Sequence, residues 1–542
     1  MINYRIEYPR FSSILTTEEL SVELTNRKIT IFLPSITNVF YLRYLLRVID
    51  LACKNSSKIV LIDCNWHTKY MAHSFRVFSS SSKTREDFFS TLLTKYPKSL
   101  EIIKITEEET SAAEDITETN KKTEELSIKS ILMSMNMDVK TNEYVNDVTK
   151  YMKIQFRKSY QLSHNLIPGS DLVIFLNGRW PEQAAIRAVC ESIGVKFLSL
   201  EHGKPNGKRF HLQNFQTQEY SRMRLYFESL LSTMSPKDIQ FALDWGSDWL
   251  AKQSVDVESN PHLVLNSTVK GISESDKKVV SIFNSSFDER FSNLGIELNE
   301  WQSQEEAIVT VACEFREKGF SPIVRIHPNT INKGWREICN LVDSLEKFNI
   351  SIILPWNEPS TYDLIDKSTL VVTWGSTVAI ESTARGVPTL NLGRTSYDTI
   401  LDVVLMSKSN FKDIIGSKFD PPSPKKSLIT AYLTRNWGFD LEDFNLEPDL
   451  VKLDSKIENE DFWTIPEETK SSKQRKLYLG RFLDLFGLRD FVMAYRKSNT
   501  SRGRISPADL YRLLGIVRNI RLRNYIMTLL FNCYRKLLRL KS

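Results

Sequence analysis

The residues able to do chemistry in this sequence gather where apolar runs stop. In TLVVTWGSTVAIESTARG (369–386), a buried-strand pattern gives way at Gly375, Ser376 and Thr377 to a helical one. Backbone N–H groups left free at such a turn, the positive end of a helix dipole and two hydroxyls suit a phosphate. The same residues also suit an ordinary Ser/Thr helix cap. Glu381 projects from the first helical turn toward the same place, where a carboxylate accepts from ribose hydroxyls or merely offsets the helix dipole. In SPIVRIHPN (321–329), His327 and Pro328 end another strand pattern, two residues after Arg325. Proline stops the strand from continuing through a central ladder, and an imidazole held there donates to a phosphate oxygen or a carboxylate, or is structural.

A second group lies earlier. Glu201 ends the strand pattern of GVKFLSLEHG (194–203), as an acid or base toward a hydroxyl or as a charged strand end. Asn177, near the end of DLVIFLNG (171–178), and Arg179, just after it, are placed for a substrate or form a glycine turn with a surface arginine. Ser285 and Ser286 end VVSIFNSS (279–286), and Asp288 and Glu289 follow it, the acids also fitting a helix N-terminus.

Strands and helices must alternate to place these residues. KITIFLPS (28–35) and KIVLID (58–63) read as buried strands flanking a helix at 41–53. The rhythm resumes at 171–203 and again from about Lys277, and it predicts parallel sheets. Each candidate falls just past the carboxyl end of a strand, where open parallel sheets hold ligands. The acid-rich stretch TEEETSAAEDITETNKKTEE (106–125) reads as an exposed insertion, with a solvated helix as the alternative.

A length of 542 residues exceeds one ordinary core. With 41% hydrophobic and 25% charged residues, the composition is that of a globular protein. The six cysteines show no CxxC pair or metal-ligand spacing, which favours a reducing cytoplasm. The first residues lack the pattern of a secretory signal, and no stretch reaches the length of a membrane span. The net charge of +6 is concentrated in residues 502–542, where ten Lys and Arg face one acid. A basic tail on a mildly acidic body argues for one local electrostatic contact rather than nucleic-acid binding.

LNGR…EHG, NSSFDE, RIHPN and WGSTVAIESTARGVPTLNLG, spanning Asp171 to Gly393, resemble the GT-B glycosyltransferases of bacterial capsule and lipopolysaccharide synthesis. That group includes sialyltransferases and retaining Kdo transferases. The resemblance implies an α/β fold of two Rossmann-like domains facing a central cleft, followed by a helical C-terminal extension. The implied boundaries are an acceptor-side domain at 1–225, a connector at 226–270, a nucleotide-sugar domain at 271–425 and the extension at 426–542. It implies that His327, Ser376 and Thr377 grip the nucleotide phosphate of a CMP-activated sugar, Kdo or a related ulosonic acid, with Arg325, Pro328, Gly375 and Glu381 completing the nucleotide site. Asp288 then corresponds to a nucleophile and Glu201 assists the acceptor, with Asn177, Arg179, Ser285, Ser286 and Glu289 as possible substrate contacts. The anomeric bond of such a donor is labile, so no metal or other cofactor is expected. A UDP-sugar or CDP-polyol donor, a nucleotide-sugar 2-epimerase on the same fold, in which the basic tail would have no role, and a non-catalytic assembly or export subunit are the alternatives.

From Pro507 to Ser542, apolar residues interleave with Arg and Lys at helical spacing. Such a helix lies on an anionic inner membrane, near a glycan or glycolipid acceptor, or packs on protein. The expected location is the cytoplasm, peripheral to the inner face of that membrane.

Overall fold

The computed structural model describes residues 16–34, 39–64, 82–105, 112–113, 115–134, 142–203, 208–216, 219–253, 278–285, 300–327, 335–355, 361–458 and 532. Pro328, Ser286, Asp288, Glu289 and the basic amphipathic tail apart from residue 532 lie outside them. The strands in chain order are β1 (Lys28–Pro34), β2 (Lys58–Cys64), β3 (Leu100–Ile105), β4 (Leu172–Leu176), β5 (Phe197–His202), β6 (Arg209–Gln213), β7 (Val279–Phe283), β8 (Ser321–Arg325), β9 (Ser351–Ile353), β10 (Leu370–Thr373), β11 (Thr389–Asn391), β12 (Val404–Leu405) and β13 (Phe439–Asp440).

The chain divides into two compact units. The first comprises Met1–Met135, Lys140–Thr217 and Trp437–Arg504; the second comprises Asn136–Val139, Gln218–Asn436 and Ile505–Ser542. In the first unit the strand order is β13-β6-β5-β4-β1-β2-β3. β1 to β5 run parallel, β6 pairs antiparallel with β5, and β13 pairs antiparallel with β6. The second sheet, β12-β11-β10-β7-β8-β9, is parallel throughout. Counting from its own first strand, each half therefore follows the 3-2-1-4-5-6 order of Rossmann-like sheets. The α/β class read from the sequence holds for both.

The strands form where helices cover both faces of a sheet. β4 (LVIFL) and β10 (LVVT) are buried at every residue, and a parallel strand covered on both faces reads as an uninterrupted apolar run. The helix Pro181–Ile193 starts with proline at its first turn and ends at Gly194 in the left-handed region (φ 71°), the expected asymmetry of helix ends.

Three stretches differ from the sequence reading. Within 106–125, residues 118–125 begin the helix Glu118–Ser134. Glu124 is buried there against Arg157 at 2.9 Å, and Asn120 donates to the Tyr160 hydroxyl at 3.0 Å. Ala113 and Ile116 enter the hydrophobic core, and the polar anchors beside them bond to the helix Asn142–Leu166. The expected connector belongs to the second unit, where the helix Pro236–Gln253 crosses the helix Pro424–Asn436. At Gly246 an added Cβ would meet the Leu428 carbonyl oxygen at 2.5 Å, so the crossing requires glycine. The expected helical extension is instead divided. Residues to Asn436 stay with the second unit, while the segment from Trp437 to Glu458 rejoins the first, adding β13 and the helix Pro448–Glu458.

An ion cluster fixes that return. Asp454 accepts from Arg43 Nε at 2.9 Å and Arg47 Nη1 at 2.7 Å, and Glu458 accepts from Arg43 Nη1 at 2.8 Å. Burial alone would push the Asp454 carboxyl up, but the two guanidiniums hold it below the usual carboxylate range. Among the described residues, no helix is long and apolar enough to cross a membrane.

Asp454→Ala leaves two buried arginines facing each other, and the expected cost is about 3–5 kcal/mol. Urea unfolding followed by far-UV circular dichroism measures this; a loss within error of zero would show that the cluster does not hold the return segment.

Candidate functional site

Each unit brings a set of polar side chains to the carboxyl edge of its sheet. In the first unit, β4 ends at Leu176 and the chain turns through two left-handed residues, Asn177 (φ 61°) and Gly178 (φ 74°). Asparagine tolerates this region because its side chain bonds locally. Here Asn177 Oδ1 accepts from the Arg179 N–H at 3.1 Å, and the Asn177 N–H donates to the Leu200 carbonyl at 2.9 Å. The freed amide group, Nδ2, donates to Glu201 Oε2 on neighbouring β5.

Glu201 receives further donors from other directions. Tyr41, on the helix Val39–Lys54 that follows β1, donates its hydroxyl to Oε1 at 2.8 Å, and the His202 N–H reaches the same oxygen at 2.9 Å. The His202 ring lies 4.4 Å from that of Tyr41, and its Nδ1 is 3.1 Å from the Tyr44 hydroxyl. His211 stands directly opposite Glu201 in the β5–β6 ladder, its ring stacked at 3.8 Å on Trp437.

Burial dominates the titration of this cluster, with different results. It pushes His211 down to about 4 and lowers His202, so both imidazoles are neutral at pH 7. It raises Tyr41 well above its ordinary value, reinforced by the Glu201 charge, so the phenol keeps its proton. For Glu201 burial pulls upward, but the charge that His202 and His211 acquire in the acidic range, with the His202 N–H and the Tyr41 hydroxyl, outweighs it, and the carboxyl titrates below its ordinary value. Glu201 is therefore ionised at neutral pH. An ionised carboxylate can accept hydrogen bonds or a proton, and it also fits a charged strand end.

In the second unit, β7 and β10 are the adjacent strands from which the chain departs toward opposite sides of the sheet. After β7, Asn284 Oδ1 accepts the His327 N–H at 2.5 Å, which ties the end of β8 to that of β7. The Ser285 N–H donates to Gln304 Oε1 at 2.6 Å, and Gln304 Nε2 returns a bond to the Ser285 carbonyl at 3.3 Å. After β10, Gly375 takes a left-handed φ of 66°, open to glycine without strain. Ser376 is buried, its Oγ accepting from the Val378 N–H at 3.3 Å and its carbonyl from the Tyr397 hydroxyl at 2.6 Å. Thr377 is exposed and its side chain caps no helix N–H. Thr377, the residue at the cap position, thus makes no capping bond, and Ser376 closes a local turn onto Val378.

Arg325 and Glu381 depart from expectation. Arg325 is only 2% exposed and donates to the Leu354 carbonyl at 3.2 Å, while burial lowers its guanidinium to about 10. It supports the strand ends from within instead of presenting a cation at the edge. Glu381 is 6% exposed, and its charge favours the cation of Arg435, which lies 4.7 Å over the Trp249 ring. The carboxylate thus lies within electrostatic range of a half-buried arginine. Sequence reasoning missed Tyr41, Asn284, Gln304, His211 and Tyr397. Only Asn284 carried a usable signal, standing directly after a buried strand.

No protein-family model matches the chain, and no curated protein matches it in sequence. Among solved structures, Thermosulfurimonas dismutans KpsC, a β-Kdo 2,4-transferase, aligns with 13% identity over 53% of this chain and 88% of its own, at a TM-score of 0.33. The UDP-GlcNAc 2-epimerase of Methanocaldococcus jannaschii, in complex with UDP-GlcNAc and UDP, aligns with 15% identity over 74% and 97%, at 0.28. That of Neisseria meningitidis, bound to UDP-GlcNAc, aligns with 14% identity over 79% and 97%, at 0.24. Similarity of this degree assigns no family.

The neutral burial of His211 has a consequence for stability. Its ring takes a proton near 6.5 when unfolded and only at about 4 when folded, so between these values the unfolded state binds more protons. Stability therefore falls as pH drops through that window, by up to about 3 kcal/mol from this residue. His202 acts in the same direction. His211→Phe, which keeps a ring on Trp437, is expected to flatten the slope in urea titrations across the window; an unchanged slope would exclude the assignment.

Proposed function

We propose that this chain is a glycosyltransferase of the GT-B type that uses a nucleotide-activated sugar in the synthesis of a bacterial surface polysaccharide. The observation carrying this reading is the edge of the second sheet. There Gly375, Ser376 and the exposed Thr377 follow β10, while Asn284 and the His327 it holds follow β7 and β8. This is the topological switch point, where strand connections part and open α/β sheets take nucleotides. A hydroxyl unused by the fold and an imidazole tethered through its backbone are donors suited to a phosphate. The first unit, with ionised Glu201 at its own edge, takes the acceptor.

The donor is a CMP-activated ulosonic acid, Kdo foremost, in keeping with the resemblance of the motifs. Its transfer with retention balances in two displacements. The Asp288 carboxylate attacks C2, the bond to phosphate breaks and CMP leaves. The acceptor oxygen then attacks C2, its proton passes to Glu201, and Asp288 is released. The basic tail associates with an anionic membrane that carries the acceptor; removal of residues 502–542 is expected to abolish sedimentation with anionic liposomes while transfer to a soluble acceptor persists.

CMP is expected to raise the melting temperature more than UMP or GDP, since a ligand at about 100 times its Kd adds about 2.7 kcal/mol to the native state. His327→Ala and Thr377→Val should reduce the CMP shift, whereas Asp288→Ala should keep it and lose transfer. Equal shifts for the three nucleotides would overturn the CMP donor, and normal turnover by Asp288→Ala would overturn the double displacement.

A further inference from the structure

Glu201 is held from three directions. Tyr41 reaches it from the helix after β1, Asn177 from the turn after β4, and the N–H of His202 from β5 itself. β4 is the neighbour of both β1 and β5, so the three donors converge across the switch point of the first sheet. We propose that Tyr41 and Asn177 are positioning residues that hold the Glu201 carboxylate in one orientation toward the hydroxyl of a polyhydroxylated acceptor. This rests on the reading of Glu201 as the group that receives the acceptor proton.

Packing alone does not account for Tyr41. Its ring contacts Tyr44 at 5.9 Å and His202 at 4.4 Å, contacts that phenylalanine would keep. What phenylalanine would lose is the hydroxyl directed at Oε1. Such a donor favours the charged form of a carboxylate and fixes its rotation. Asn177 is constrained in the same sense. Its left-handed backbone and the bond from the Arg179 N–H set the side chain so that only the amide nitrogen faces Glu201.

The groups around Glu201 determine the direction of the pH effect. Tyr41 faces it from the helix after β1, His202 from β5 and His211 from β6; Tyr44 and Arg179 act on the Tyr41 phenol, and Arg209, which acts on His211, is engaged by Asp440. Loss of the Tyr41 donor removes one stabilisation of the anion, and the Glu201 carboxyl titrates at higher pH. Asn177→Asp acts more strongly in the same direction, because it keeps a residue suited to positive φ and places a second carboxylate beside the first.

Two readouts separate positioning from structure, and both from the proposed function. Difference infrared titration of the full chain against Glu201→Gln follows the carboxylate without any sugar. The pH profile of kcat with a CMP-activated donor follows the reaction. Tyr41→Phe is expected to raise the infrared midpoint, to move the acid limb of kcat upward with it, and to lower kcat about tenfold at neutral pH while donor KM changes little. Asn177→Asp should raise the midpoint further. A raised midpoint in proteins that transfer no sugar would support the positioning role and overturn the transferase reading. An unchanged midpoint in both variants would overturn the positioning role, whatever the activity.

Discussion

Each half of the chain is organised around a first strand that is hydrogen-bonded on both edges and covered on both faces. β1 lies between β2 and β4, and β7 between β8 and β10. A parallel strand in that position leaves no backbone group unpaired, and its neighbours must be reached by crossovers on opposite sides of the sheet. The crossovers diverge at the carboxyl edge beside the first strand, and there the sheet's own requirements are already met. Polar side chains can be aimed into that place without competing with the ladder. Asn177, Glu201, Asn284, His327 and the turn at Gly375 all stand at such edges.

The two edges handle their polar groups differently. In the first unit a charge is buried and kept charged by donors, while the surrounding imidazoles are kept neutral by the same burial. Low dielectric strengthens each hydrogen bond to the carboxylate and penalises a second charge nearby. In the second unit, side chains bond mainly to backbone. Asn284, Gln304 and Tyr397 hold the N–H of His327, both polar groups of Ser285 and the carbonyl of Ser376. Backbone fixed in this way leaves Thr377 exposed and gives the edge a constant shape.

The return of the chain to the first unit after Asn436 depends on polar anchors. Trp437 stacks on His211, Asp440 engages Arg209, and Asp454 bridges two arginines one turn apart on the helix Val39–Lys54. Apolar residues Leu450, Leu453 and Ile457 complete the face. The segment thus borders the Glu201 cluster through His211, and the composition of the unit's sheet edge depends on residues more than two hundred positions away.

The amino-acid sequence by itself determined the buried strands, the alternation of strand and helix, and the positions after β4, β5, β7, β8 and β10 where polar residues interrupt apolar runs. These are local properties, since a run such as LVIFL or LVVT is stable only when covered on both faces. Tertiary structure alone decided which of those residues meet. Glu201 becomes a fixed anion through Tyr41, 160 positions away in the chain, and Asn177. Arg325, two residues before His327, is drawn inside by a carbonyl at the end of β9, while Glu381 lies within electrostatic range of Arg435. Residues 118–125, with too few apolar side chains to read as anchored, are held by Arg157 and Tyr160. In each case the deciding term is the desolvation of a polar group, and its sign depends on partners that no local pattern contains.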